Sequence, residues 1–189
     1  MRIDMVPGAT FPDYELPDHT GHRRRLSELQ GIDPMVLHIA RGSFCPKEHQ
    51  MGRQLASFQS QIAVGNVGLV TISIEHLREL NEFRLAIGAQ WTFLSDPHRK
   101  VAKDLEIEEY TDPERAPVVP HTIVLEPDLV VHKIYNGYWY WGRPSMAELH
   151  QDLRNIFQRV RPDWDITTPE LREAWDDPEL RKGNFYPYG

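Results

Sequence analysis

Cysteine is almost absent from this chain: Cys45 is the single one among 189 residues. A disulfide framework within the chain is therefore excluded, and with it the small secreted scaffolds that depend on one. The opening residues Met1-Arg2-Ile3-Asp4-Met5 carry no apolar leader, so a cytoplasmic protein is expected. Positive charge is in deficit, with 21 Lys and Arg against 28 Asp and Glu, a net charge of −7 and a pI near 5.7. Such a surface offers no long-range attraction to nucleic acid or to an anionic membrane. No apolar run approaches the length of a membrane span. Also missing are a phosphate loop, a dinucleotide fingerprint, a Gly-x-Ser-x-Gly elbow and a His-Glu-x-x-His pair. Chemistry without a cofactor is the expectation, and small solutes or other proteins are the expected partners.

What is present fits one compact domain, residues 1–160, followed by an aromatic-rich tail, residues 161–189. Residues 7–25 are rich in Pro, Asp, Gly and His. Short extended pieces there flank Asp18-His19-Thr20-Gly21, a turn signal that predicts an entry hairpin. His19-x-x-His22 lies in that polar turn, where exposure is the ordinary state. Met35-Val36-Leu37-His38-Ile39 reads as a strand. Met51, Leu55, Phe58 and Ile62 then recur at helical spacing and predict a helix from residue 46 to about 64. Residues 67–74 form a continuous β-branched run of the kind required by a strand covered on both faces. A second helix is predicted over residues 76–87, and Ser95-Asp96-Pro97 is read as the start of a third carrying Val101 and Leu105. His121-Thr122-Ile123-Val124-Leu125 and Leu129-Val130-Val131-His132-Lys133-Ile134 flank Glu126-Pro127-Asp128 as an antiparallel hairpin. Ser145-Met146-Ala147-Glu148 is a capping box for a last helix whose stripe is Met146, Leu149, Leu153, Ile156 and Val160. Alternation of this kind specifies an α/β core.

Cys45 stands where the first strand ends, in Arg41-Gly42-Ser43-Phe44-Cys45-Pro46. A first-turn proline directly after it predicts a helix start, where the macrodipole and unpaired N–H groups favour an anion. A lone cysteine is ordinarily a small buried hydrophobe, but the neighbours Lys47 and Glu48 argue for access, and a thiolate at such a place is a nucleophile. Arg41 is the best candidate for a cation beside it, ahead of Lys47 and His49. Cys45 and His49 share a helix face, a spacing open to a thiol–imidazole pair or to two ligands of one metal. Glu48 and His121 are the only further ligands in view and no tight Cys/His cluster exists, so no metal is assigned.

Four features in order make residues 7 to about 160 resemble the AhpC/TSA, or redoxin, branch of the peroxiredoxins. They are Pro-Gly-Ala-Thr-Phe-Pro-Asp-Tyr-Glu-Leu-Pro-Asp-His-Thr-Gly over residues 7–21, the Arg41-Gly42-Ser43-Phe44-Cys45-Pro46 passage, Leu94-Ser95-Asp96-Pro97, and Val119-Pro120-His121-Thr122 before a strand. The resemblance implies a thioredoxin-like fold: a central mixed sheet flanked by helices, with an N-terminal hairpin extension and the C-terminal tail. It further implies that Cys45 is the peroxidatic cysteine, which reduces a peroxide and becomes a sulfenic acid, the first and reversible oxidation product. With no second cysteine, recycling would fall to an external thiol or redox protein. A homodimer is left open; a disulfide between two copies of Cys45 would need the sites to face each other.

The departures from the family's Pro-x-x-x-Thr-x-x-Cys pattern are specific. His38 and Gly42 stand at the Pro and Thr positions, and Pro120 stands where the family has a second arginine. Ser43 and Thr122 are the hydroxyls nearest at hand to replace the missing one. Pro120 resembles the cis-proline of thioredoxins, and cis is expected there. His121 is expected to flank the cysteine. Glu48 occupies the place of a thioredoxin's second cysteine, which excludes dithiol exchange within the site. The site expected from sequence therefore has Cys45, Arg41 and Ser43 as catalytic residues, with Pro120, Thr122, His121, His49 and Glu48 around the substrate. Two rival readings are a monothiol exchange enzyme and a redox-inactive or sensing module that binds other proteins. The aromatic run over residues 135–141 lacks the basic stripe of a nucleic-acid surface and is expected to cover the core or an interface. The tail, with Trp164, Trp175, Phe185, Tyr186 and Tyr188, is expected to pack on its own domain or on a partner subunit.

Overall fold

The computed structural model describes residues 1–138 and 141–179. In chain order the elements are β1 (Glu15–Pro17), β2 (Arg23–Arg25), α1 (Leu26–Gln30), β3 (Met35–Ile39), α2 (Pro46–Ile62), β4 (Gly68–Ser73), α3 (Leu77–Ala86), β5 (Thr92–Ser95), α4 (Lys100–Asp104), β6 (His121–Glu126), β7 (Val130–Asn136), α5 (Met146–Val160) and α6 (Pro169–Asp176), with short 3-10 turns between some of them. The β1 and β2 strands pair as the antiparallel entry hairpin. The other five form one sheet in the order β5-β4-β3-β6-β7. In that sheet β3, β4 and β5 run parallel, while β6 and β7 are antiparallel. Among the described residues no helix is long and apolar enough to cross a membrane.

All five residues of β3 are buried, because the strand is hydrogen-bonded on both edges and covered on both faces. Side chains alternate across a strand, and the alternation separates two chemistries. Met35, Leu37 and Ile39 join Ile123 and Leu125 of β6 in a cluster with Phe11, Tyr14, Leu16, Val101 and Leu105. Val36 and His38 face the other way, toward α2, as the bond from His38 to Glu48 shows. The predicted stripe of α2 is buried at Met51, Leu55, Phe58 and Ile62.

Two elements differ from the sequence reading. The pattern around Ser95-Asp96-Pro97 is the end of strand β5 and not the first turn of a helix. The Asp96 carboxylate does act as a cap, accepting the backbone N–H of Lys100 at 2.8 Å and of Val101 at 2.9 Å, but it does so from across a turn in which Arg99 is left-handed. The β5 strand was hidden by its four-residue length. The α1 helix, one turn long, was not anticipated either. Its buried Gln30 staples the β6 to β7 turn, donating to the Glu126 carbonyl and accepting from Leu129 N–H.

The expected capping box is formed at the start of α5, where the Ser145 and Glu148 side chains each accept the other's backbone N–H. The chain resolves into two compact units, residues 1–156 and 157–189. Within the second, Thr168 caps α6 through Leu171 N–H at 3.3 Å, and Phe157 stacks on Trp164 at 5.0 Å. Trp175 is exposed. Of the aromatic residues singled out above, Trp139, Tyr140, Phe185, Tyr186 and Tyr188 lie outside the described residues; Tyr138 and Trp141 are exposed.

Candidate active site at the head of helix α2

The central strand β3 ends at Ile39, and six residues later Cys45 forms the N-cap of α2 with Pro46 inside the first turn. Extended backbone at Cys45 (φ −86°, ψ 118°) is what an N-cap requires. Its carbonyl takes the N–H groups of Glu48 at 3.0 Å and His49 at 3.4 Å. The thiol is buried and not in a disulfide. The sequence reading looked to free first-turn N–H groups to favour an anion there; two N–H groups of the turn are committed to the cysteine's own carbonyl, and a charged side chain adds its own attraction.

That side chain is Arg41, whose guanidinium interacts favourably with Cys45. Its Nε and Nη2 form a fork on Glu109, donating to Oε2 at 2.7 Å and to Oε1 at 2.5 Å. Glu109 is the main reason that the guanidinium is held above its ordinary pKa; burial opposes this, and Cys45 adds to it. The Phe44 ring meets two cations, with the Arg41 guanidinium 5.2 Å and that of Arg115 5.1 Å from its centre.

Gly42 explains why the family threonine has no place here. Its φ of +143° strains any residue with a Cβ. A Cβ built on it would also lie 2.5 Å from a carbon of the Phe44 ring. The ring therefore occupies the volume a threonine would use.

Ser43 is held through its backbone. Its N–H donates to Glu75, which also accepts the Ser73 hydroxyl, and its carbonyl accepts from His49 Nε2 at 2.7 Å. His49 thus braces the loop before the cysteine, with its ring edge-on to Phe83.

Beneath this loop lies a buried charged network. Glu48 is fully enclosed; one of its oxygens meets His38 Nε2 at 2.7 Å and the other meets Arg143. His38 Nδ1 is 3.1 Å from the Thr122 hydroxyl. His38 bridges Glu48 and Thr122 through its two ring nitrogens, while Arg143 balances the carboxylate charge. Burial pushes the Glu48 carboxyl up, but His38 and Arg143 outweigh it and leave it below its ordinary value. Glu48 and Thr122 are consequently committed to this network, which ties the first turn of α2 to the sheet and to the segment before α5. Neither has the open atom that a substrate contact needs.

Two expectations at the start of β6 are corrected. The peptide bond before Pro120 is trans, and the Pro120 carbonyl accepts from Gly137 at 2.7 Å. His121 does not flank the cysteine. It is in register with Ile39, which puts it on the sheet face opposite His38 and Glu48. Its Nδ1 donates to the Val119 carbonyl at 2.8 Å, and its buried Nε2 has no partner.

Burial lowers the His121 pKa from 6.5 to about 4, and a pH effect on stability follows. The unfolded chain binds the proton more tightly, so this contribution is complete above pH 6.5, falls as the pH drops, and is spent below about pH 4. Its size is about 3 kcal/mol at 1.36 kcal/mol per unit. Urea unfolding at intervals across that range is expected to show the slope in wild type and a flatter one in His121→Leu.

Sequence reasoning missed Glu109, Arg143, Glu75 and the part played by Phe44. Glu109 is 68 residues from Arg41 and Arg143 is 95 from Glu48, and no local pattern marks either. The substitution of His38 and Gly42 into the motif was the available signal that the site is built differently. Among the described residues no group of three or more His, Cys, Asp or Glu side chains is arranged to hold a metal ion.

Residues 7–134 match the model of the AhpC/TSA family. Two Mycobacterium tuberculosis sequences that carry a peroxiredoxin name, one from each of two strains, are 32% identical over 127 residues, spanning 66% of this chain and 80% of theirs. The crystal structure of the peroxidoxin BcpB from M. tuberculosis superposes with a TM-score of 0.70 at 26% identity, over 82% of this chain and 98% of that one. A yeast mitochondrial 1-Cys peroxiredoxin shares the fold, with a TM-score of 0.64 at 16% identity over 80% of this chain and 75% of that one. With a cysteine heading the helix that follows the central strand of a five-stranded mixed sheet, the chain belongs to the AhpC/TSA family and is a peroxiredoxin-like oxidoreductase of thioredoxin-like fold.

Proposed function

We propose that the chain is a one-cysteine, thiol-dependent peroxidase with Cys45 as its nucleophile. The observation that carries this reading is Cys45 at the N-cap of α2 with the Glu109-held Arg41 guanidinium interacting with it, because one guanidinium can serve the thiolate and an incoming peroxide oxygen together. In the first step the thiolate attacks the nearer oxygen of a hydroperoxide. An S–O bond forms, the O–O bond breaks, and the departing alkoxide or hydroxide takes up a proton, leaving Cys45 as a sulfenic acid. An external thiol then attacks the sulfenic sulfur, releasing water and forming a mixed disulfide. A second thiol displaces Cys45 and leaves as the oxidised disulfide. Arg41 does the work that the family assigns to a threonine and a second arginine, and Ser43 contributes through the backbone loop that His49 and Glu75 hold.

A resolving thiol from outside suits a chain with one cysteine. The yeast protein above is described with a thiol resolving mechanism that runs through glutathione and thioredoxin systems. A reducing cytoplasm would supply such thiols. The monothiol-exchange reading drew on the proline at position 120, and the bond before that proline is trans.

The test is steady-state consumption of hydrogen peroxide and of an organic hydroperoxide with excess dithiothreitol, for wild type and Cys45→Ser. Wild type is expected to consume at least one of them catalytically and the variant neither. Equal rates for the two proteins would sink the reading and leave a binding module on the same fold.

A further inference from the structure

We propose that Glu109 is the positioning residue of the site: its two-bond fork holds the Arg41 guanidinium in a fixed orientation for the chemistry at Cys45. The proposal rests on the peroxidase reading above and adds to it the residue that sets the geometry.

A guanidinium has five N–H donors in a fixed plane. Glu109 takes the Nε hydrogen and one on Nη2. Both hydrogens of Nη1 and the outer one of Nη2 remain, on the edges turned away from the carboxylate. The fork fixes the plane as well as the position of the group, which a single bond would not. A free arginine side chain loses rotamer entropy when it is ordered. Here that ordering is complete before any substrate arrives.

Electrostatics alone would not place a carboxylate here. Glu109 offsets the charge that Arg41 offers to an anion at the sulfur, so its presence makes sense through what it gives in orientation. The backbone around it is built to hold it still. Glu109 N–H donates to the Pro117 carbonyl at 3.1 Å, and Glu108 bridges to Val118. The Thr111 hydroxyl bonds Glu109 Oε1. Arg99 donates to the carbonyls of Arg115 at 2.7 Å and Ala116 at 2.9 Å, fixing the far end of the same loop. Arg115 then reaches the Phe44 ring, as Arg41 does. One loop, residues 108–118, thus grips both Arg41 and Phe44, which flank the residues leading to Cys45.

A double-mutant cycle tests this. The rate constant for sulfenic acid formation at Cys45 with hydrogen peroxide is measured by stopped flow, with dimedone trapping as the check. The proteins are wild type, Glu109→Gln, Arg41→Met and the double variant, with melting temperatures recorded for each. Glu109→Gln is expected to slow the reaction about tenfold to a hundredfold, as small misplacements of positioned groups do, while Glu109→Asp retains part of the rate. In the Arg41→Met background the same Glu109→Gln change is expected to have no further effect. A purely structural role would lower the rate by the same factor in both backgrounds, and that result, or an unchanged rate in Glu109→Gln, would overturn the proposal. Should wild type form no sulfenic acid, the peroxidase reading alone has failed. The cycle is then read on alkylation of Cys45 by iodoacetamide at pH 7, where coupling between positions 41 and 109 upholds the proposal and independent effects overturn it.

Discussion

Arg41→Met is expected to lower the rate constant for oxidation of Cys45 by about a hundredfold to a thousandfold, the usual cost of removing one aligned donor from a site where charge develops. The methionine keeps much of the length and apolar bulk, so Phe44 retains a neighbour while the guanidinium is lost. Two stabilising effects disappear together: the attraction for the thiolate before the reaction and the support of the oxygens as the O–O bond breaks. Gly42 brings no hydroxyl and Pro120 brings no cation at the positions where the family has them. Arg41→Lys is expected to fall between the two proteins, because an ammonium carries the charge but cannot span Glu109 and the sulfur in one plane. Stopped-flow measurement at pH 7 with hydrogen peroxide decides it. An Arg41→Met rate equal to that of wild type would remove Arg41 from the site.

The second large effect concerns stability. Glu48→Gln is expected to lower the unfolding free energy by about 3–5 kcal/mol, the range found when one member of a buried ion pair is removed. Glu48 is fully enclosed, and its loss leaves Arg143 mostly buried without a counter-charge. The Nε of Arg143 already lacks a partner, which adds to the cost of stranding that side chain. Replacing both residues, as Glu48→Gln with Arg143→Met, is expected to recover part of the loss, since no unpaired charge then remains in the interior. Urea unfolding of the three proteins measures the effect, and a Glu48→Gln midpoint matching wild type would contradict the assignment. Because the Glu48 pKa is lowered in the folded state, its contribution is present above the ordinary glutamate range and is lost as the pH falls below it. That loss lies mainly on the acid side of the His121 transition, so the two are separable in a pH series.

Much of this arrangement was legible in the sequence because it is local. The stripe of α2 repeats every three or four residues, so Met51, Leu55, Phe58 and Ile62 declared the helix and Pro46 declared its start. The start in turn placed Cys45. The capping box at Ser145 and Glu148 is likewise contained within four residues. Strand β5 was not legible: four residues are too few for a period, and Asp96 carries a cap signature whose helix begins only after an intervening turn. The partners of the site were not legible for a different reason. Arg41 was nominated by its nearness to Cys45, but what orients it arrives from Glu109 across the fold. Glu48 looked like a residue at the mouth of the site because of its place in the motif, yet position 48 on α2 points toward His38 and the interior. Position 121 was misread through proximity in sequence to Pro120, when alternation along β6 turns neighbouring side chains to opposite faces.

The central claim is that Cys45 is the atom that takes oxygen from a peroxide. The most direct measurement is intact-protein and peptide mass spectrometry after one equivalent of hydrogen peroxide in the presence of dimedone, with and without prior addition of a monothiol. A dimedone adduct on the peptide containing Cys45, replaced by a mixed disulfide when the thiol is present, is the predicted result; an unmodified Cys45 with the peroxide left unconsumed would contradict it.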